Sequence, residues 1–217
     1  MGEFISMVIR LLIINLIIIF QLVHSESQIN SIDNQNTILV IGDSLSAAYG
    51  IELEESWVNL LRNQLKEYDT DTQWHVINAS ISGDTTTGGL ERLPGLIKEH
   101  QPVLCIIALG ANDGLRGQSL DIMQNNLDAM INMCMSTGNS LLVGIKLPPN
   151  YGDQYTQAFH NVYKNVAAKN NIYLVDFMLE GIAFQDEYFQ ADRLHPTAEA
   201  QPLILDNIWP QLEQLLN

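Results

Sequence analysis

Residues 38–46 read ILVIGDSLS, an apolar, largely β-branched run that stops at Gly42-Asp43-Ser44. A run without polar alternation suits a strand covered on both faces, as in a parallel sheet. Taken from Thr37 as TILVI (37–41), it is the first of five such runs, followed by HVIN (75–78), VLCIIAL (103–109), SLLVGI (140–145) and IYLV (172–175). Between them apolar residues recur at helical spacing. Trp57, Leu60, Leu61 and Leu65 share a face behind a Ser56 cap, and Leu90, Leu93 and Ile97 share another. Leu120, Met123, Leu127, Met130, Ile131 and Cys134 form a third stripe, and Tyr155, Phe159, Val162 and Val166 a fourth. Methionines at this spacing read as core. A last helix is expected from about Thr197, kinked or interrupted by Pro202 and Pro210. Strand and helix in alternation predict an α/β fold: a doubly wound, five-stranded parallel sheet with helices on both faces.

The totals agree with one such unit. The chain has 217 residues, 47% hydrophobic and 16% charged, enough for one sizeable core. Ten Lys and Arg against 25 Asp and Glu leave a formal charge of -15, which repels a phosphate backbone and so disfavours nucleic acid as a partner. Cys105 and Cys134 match no metal-ligand or CxxC spacing and sit in apolar contexts, which predicts buried free thiols. No phosphate-binding glycine loop, dinucleotide fingerprint or H-E-x-x-H is present.

The first 25 residues have a different character. Leu11 to Val23 is an apolar run that follows Arg10 and precedes HSES, with Val23 and Ser25 as the small residues favoured before a signal-peptidase cut. A membrane span would need roughly 20 uninterrupted apolar residues, and extending the run that far takes in Arg10. Residues 1–25 are therefore expected to be a signal peptide, with an uncleaved anchor as the alternative, and the protein to be periplasmic or secreted. Glu3 is out of place there and leaves Met7 as a possible true start. Residues 26–36 are a polar lead-in, and 37–217 the folded domain.

Open α/β sheets bind ligands beyond the carboxyl ends of their strands, and the chemically useful residues fall there. Ser44 follows the first run, SISGDT (80–85) the second, GANDG (110–114) the third, KLPPNYG (146–152) the fourth, and the long segment after the fifth ends in ADRLHP (191–196). A serine hydroxyl becomes a nucleophile when an imidazole takes its proton, and a carboxylate fixes that imidazole's tautomer. Ser44, His195 and Asp192 supply the three groups. The backbone N–H of Ser44 at a helix start, the N–H of Gly83 and the side-chain amide of Asn112 supply donors for a developing oxyanion. Each has an ordinary reading alone: a cap for Ser44, with Ser46 competing, a turn for GAND, a surface residue for His195. Their joint occurrence, each after a different strand, favours catalysis. Asn78-Ala79-Ser80 matches a glycosylation sequon but lies at a strand end expected to be buried. GDSLS lacks the second glycine of the G-x-S-x-G elbow.

Four blocks, GDSLS, NASISGDT, GAND and DRLHP, resemble those of the GDSL or SGNH hydrolases in order, and the similarity covers roughly residues 37 to 216. ERLPGLIKEHQP, NDGLRG, LPPNYG and HPTAEAQP extend it toward the family's exported bacterial thioesterase and lysophospholipase branch. The resemblance implies a flavodoxin-like sheet (the SGNH hydrolase fold) and a monomer without metal or other cofactor. It implies hydrolysis of acyl thioesters and carboxylic esters, including lysophospholipids and aryl esters. It places the family's catalytic positions on Ser44, Gly83, Asn112 and His195, with Asp192 as the acid. A mobile loop over the acyl groove falls on residues 113–117, making Asp113, Gly114 and Leu115 substrate-binding along with Leu147 and Pro148. Ala111 stands where the nearest relatives carry glycine, which stiffens the turn presenting Asn112. Two other readings stand beside this one: a carbohydrate acetylesterase of the same fold, and a catalytically silent lipid-binding module.

Overall fold

The computed structural model describes residues 36–216. The signal peptide, its anchor alternative and nearly all of the lead-in lie outside the described residues. Among the described residues no helix is long and apolar enough to cross a membrane.

Five strands form the sheet: β1 (Thr37–Gly42), β2 (His75–Asn78), β3 (Leu104–Ala108), β4 (Asn139–Val143) and β5 (Tyr173–Val175). Their order is β2-β1-β3-β4-β5, and every pairing is parallel. β1 and β3 are buried along their whole length, which is why neither alternates in polarity. The helices are α1 (Trp57–Tyr68), α2 (Thr86–His100), α3 (Ala111–Leu115), α4 (Leu120–Met135), α5 (Asp153–Asn170) and α6 (Gln201–Glu213). Right-handed crossovers decide their faces. The chain steps one way from β1 to β2, putting α1 on one side. It then steps the other way through β3, β4 and β5, which puts α2, α4 and α5 on the opposite side, packed on one another. The chain ends with α6, which packs on α1 and covers the first face.

The helical stripes are largely as expected. α4 buries Met123, Leu127, Met130, Ile131 and Cys134, and α5 buries Phe159, Val162, Tyr163 and Val166. Ser56 caps α1 by accepting the N–H of Asn59 at 3.3 Å. In α2 only Leu93 of the expected stripe is fully buried, because Thr86 and Gly89 take the inward positions nearer the helix start. β4 ends at Val143, two residues short of expectation, since β5 ends at Val175, which faces Val143, and β3 ends at Ala108, one residue beyond the Ile107 that faces Leu142. Cys105 and Cys134 are free and buried.

The first of the two prolines of the last helix acts differently from expectation, and the second does not interrupt the helix. Pro202 lies in the first turn of α6, where its missing N–H has no intrahelical acceptor to lose, so it starts the helix instead of breaking it. The helix also runs on through Pro210. Pro210 and Asp206 are both on the exposed face, so the carbonyl deprived of its donor is open to water.

Candidate active site

In this strand order the chain leaves β1 toward one side and enters β3 on the other, so a crevice opens beyond their carboxyl ends. Ser44 follows β1 and Asn112 follows β3, one at each lip. The residues after β1 do not form the expected helix: 44–50 are turns, and the first regular element is a 3-10 turn at Leu53–Glu55. Asp43, not a helix start, organises the segment. Its buried carboxyl accepts the N–H of Leu45 at 3.0 Å through Oδ1 and the Asn112 amide at 3.2 Å through Oδ2. Burial pushes its pKa up to about 6 against the opposing pull of those two donors.

His195 comes from a loop folded back on itself. The N–H of Gln190 donates to the carbonyl of His195 at 2.8 Å, the N–H of Thr197 to the carbonyl of Tyr188 at 2.8 Å, and Phe189 bridges Pro196 in antiparallel fashion. Within this loop Asp192 Oδ1 accepts the N–H groups of Leu194 (2.9 Å) and His195 (3.0 Å), a turn that holds Arg193 at φ 55. Asp192 Oδ2 lies 2.7 Å from His195 Nδ1, and His195 Nε2 lies 2.9 Å from Ser44 Oγ. The backbone N–H of His195, then its ring and then the N–H of Leu194 hold the Asp192 carboxyl down at about 2. An anionic Asp192 accepts from Nδ1–H, which leaves Nε2 as the lone pair facing the serine hydroxyl.

Gly83 adopts φ 78, a left-handed conformation suited to glycine, in the turn after β2. Its carbonyl accepts from Arg116 Nη2 at 2.9 Å. The segment resembling a mobile loop is bonded at consecutive residues. Asn112 holds Asp43, and Asp113 accepts the N–H of Thr86 at 2.9 Å and its hydroxyl at 2.6 Å. The carbonyls of Gly114 and Leu115 accept the hydroxyls of Tyr155 and Tyr151 at 3.2 and 3.1 Å.

A cleft of about 710 Å3 joins these groups. Ser44, Gly83, Asn112 and His195 line it, and so do Leu115, Leu147 and Pro148. Asp192 stands behind the imidazole. Asp113 and Gly114 do not line the cleft, contrary to expectation: Asp113 is buried against Thr86, and Gly114 lies against Phe159 and Leu147. Sequence reading passed over Asp43, Tyr49 and the apolar wall Phe177, Leu179, Ala183, Phe184 and Phe189. Those wall residues sit in the long segment after β5, which has no periodicity to betray an inward face. Among the described residues no cluster of three His, Cys, Asp or Glu side chains could hold a metal ion.

The pattern of the GDSL-like lipase/acylhydrolase family matches residues 40–202. Esterase TesA of Pseudomonas aeruginosa is 49% identical over 181 residues, 83% of this chain and 89% of that protein. Thioesterase 1/protease 1/lysophospholipase L1 of Escherichia coli K12 is 38% identical over 183 residues, 84% of this chain and 86% of that protein. A crystal structure of TesA superposes with a TM-score of 0.80 at 47% identity, covering 83% of this chain and 99% of the other. Likeness of this extent, in sequence and in three dimensions, settles the kinship: the chain belongs to the GDSL-like lipase/acylhydrolase family and is a hydrolase acting on ester bonds.

Proposed function

We propose that the protein is an exported, monomeric serine hydrolase that cleaves carboxylic esters and acyl thioesters, lysophospholipids among them, without metal or cofactor. The observation that carries this reading is the unbroken series Ser44 Oγ, His195 Nε2, His195 Nδ1, Asp192 Oδ2, with steps of 2.9 and 2.7 Å between side chains. Ser44 Oγ attacks the acyl carbonyl while Nε2 takes its proton. The tetrahedral oxyanion accepts from the N–H groups of Ser44 and Gly83 and from the Asn112 amide, each donor worth roughly 10²–10³ in rate. Asn112 Nδ2 has two protons. Asp43 takes one and thereby aims the other. His195 then protonates the leaving alcohol or thiol, and water cleaves the acyl-enzyme with the same imidazole as base.

Leu115, Ile145, Leu147, Pro148, Phe177 and Phe184 give the cleft an apolar wall. That lining favours an acyl chain over an acetylated carbohydrate, and activities of this kind appear in the names of the relatives. The decisive experiment is Ser44→Ala, which is expected to abolish hydrolysis of p-nitrophenyl esters and labelling by a fluorophosphonate while leaving thermal unfolding unchanged. Retained turnover would remove Ser44 from the mechanism.

A further inference from the structure

The ring of Tyr49 lies 4.2 Å from the imidazole of His195, centroid to centroid, with the planes 35° apart. Tyr49 is about half exposed and lines the cleft, so burial of its own surface does not account for its place. The backbone around it is constrained. Ala48 has φ 59 and Gly50 φ 73, left-handed conformations on both sides of one aromatic residue. A non-glycine residue held there stores strain that its surroundings must enforce.

Gln190 does the enforcing. Its side-chain amide donates to the carbonyl of Tyr49 at 2.8 Å and to the carbonyl of Pro196 at 3.0 Å, tying the Tyr49 turn to the loop that carries the imidazole. The strap passes so close to Gly50 that a Cβ there would collide with Gln190 Oε1. The backbone from which the Tyr49 ring projects is thus tied to the loop that carries the imidazole.

We infer that Tyr49 is a positioning residue for the base, a π-face against which the His195 imidazole rests and which stabilises its protonated form during turnover. The reading rests on the proposed role of His195. An aromatic face attracts a cation within about 6 Å of its centroid, and the imidazole becomes a cation only after taking the serine proton. The contact therefore strengthens as the transition state is approached, the condition for raising kcat and not merely affinity. The other groups facing the imidazole are Asp192 at Nδ1, Ser44 at Nε2 and the buried carboxyl of Asp43. Arg193, next to Asp192, pairs instead with Asp186 at 3.4 Å.

The experiment compares Tyr49→Phe, which keeps the face, with Tyr49→Leu, which keeps an apolar side chain and loses it. The substrate is p-nitrophenyl acetate, too short to use the acyl wall. Tyr49→Phe should retain kcat within about twofold, whereas Tyr49→Leu should lose about three- to tenfold in kcat with KM little changed. The acid limb of its kcat/KM profile should move to lower pH by about half a unit. Equal impairment of the two variants, an effect on KM alone, or acid limbs that coincide would overturn the inference. Failure of the underlying reading would show separately, as ester turnover surviving in Ser44→Ala or His195→Ala.

Discussion

Asp43 is a carboxyl that its surroundings push toward the neutral form. Free carboxyls of its type titrate at 3.8, and in the fold burial raises it to about 6. Between those values the folded protein holds a proton that the unfolded chain releases, so this group subtracts stability as pH rises from about 4 to 6 and nothing further above that. The penalty amounts to roughly 3 kcal/mol. Asp43→Asn cannot ionise, so urea denaturation should find it gaining on the wild type by about that amount between pH 4 and 7; a constant difference would show that the site tolerates the charge. The same variant should lose about tenfold or more in kcat, because Leu45 N–H and the Asn112 amide bond different carboxyl oxygens, one of which becomes a donor NH2 in the carboxamide. This role was not legible in the sequence. Ser44 and His195 announce themselves by chemistry and by their places after strands, but Asp43 acquires meaning from a residue 69 positions away. Asp113 misled for the same reason. The family resemblance put it in a loop over the substrate groove, and only the fold shows that Thr86 occupies its carboxyl.

Among the elements, α3 has five residues, too few for a helix to persist on its own, and side-chain bonds hold it. Asp113 joins it to the first turn of α2, Tyr155 of α5 bonds its Gly114 carbonyl, and Arg116 just beyond it reaches Gly83. Asn112 and Gly83 are therefore placed by one small lattice, not by two independent loops. Thr86→Val removes a 2.6 Å hydroxyl bond to a buried carboxylate and also one of the two hydroxyl acceptors of Asn126. It should cost roughly 2–3 kcal/mol in thermal unfolding and lower kcat more than it changes KM; a fully active variant would show that α3 keeps its place without the tie. Apolar runs and stripes predicted the strands and most of the buried helix faces, because periodicity reports burial directly. It did not predict that Pro202 opens α6, since a proline in a first turn and one in the middle look alike until the turn is located.

For the whole molecule, charge sets a preference among substrates. A body carrying -15 repels polyanions from its cleft, whereas a neutral ester meets no barrier. Raising salt from about 20 to about 200 mM should increase kcat/KM several-fold for an acyl-CoA and leave p-nitrophenyl acetate nearly unaffected; parallel responses would mean that the cleft does not feel the net charge. The fold class was legible from alternation alone, and the place of the site from the rule that such sheets bind ligands beyond the carboxyl ends of their strands, but the wall of the cleft was not, because its residues lie in irregular chain after β5. Ser44 and His195 meet across 151 positions of sequence, so their contact forms only in a chain whose first strand and final loop have come together. A chain cut short before that loop holds the hydroxyl but lacks the imidazole that faces it.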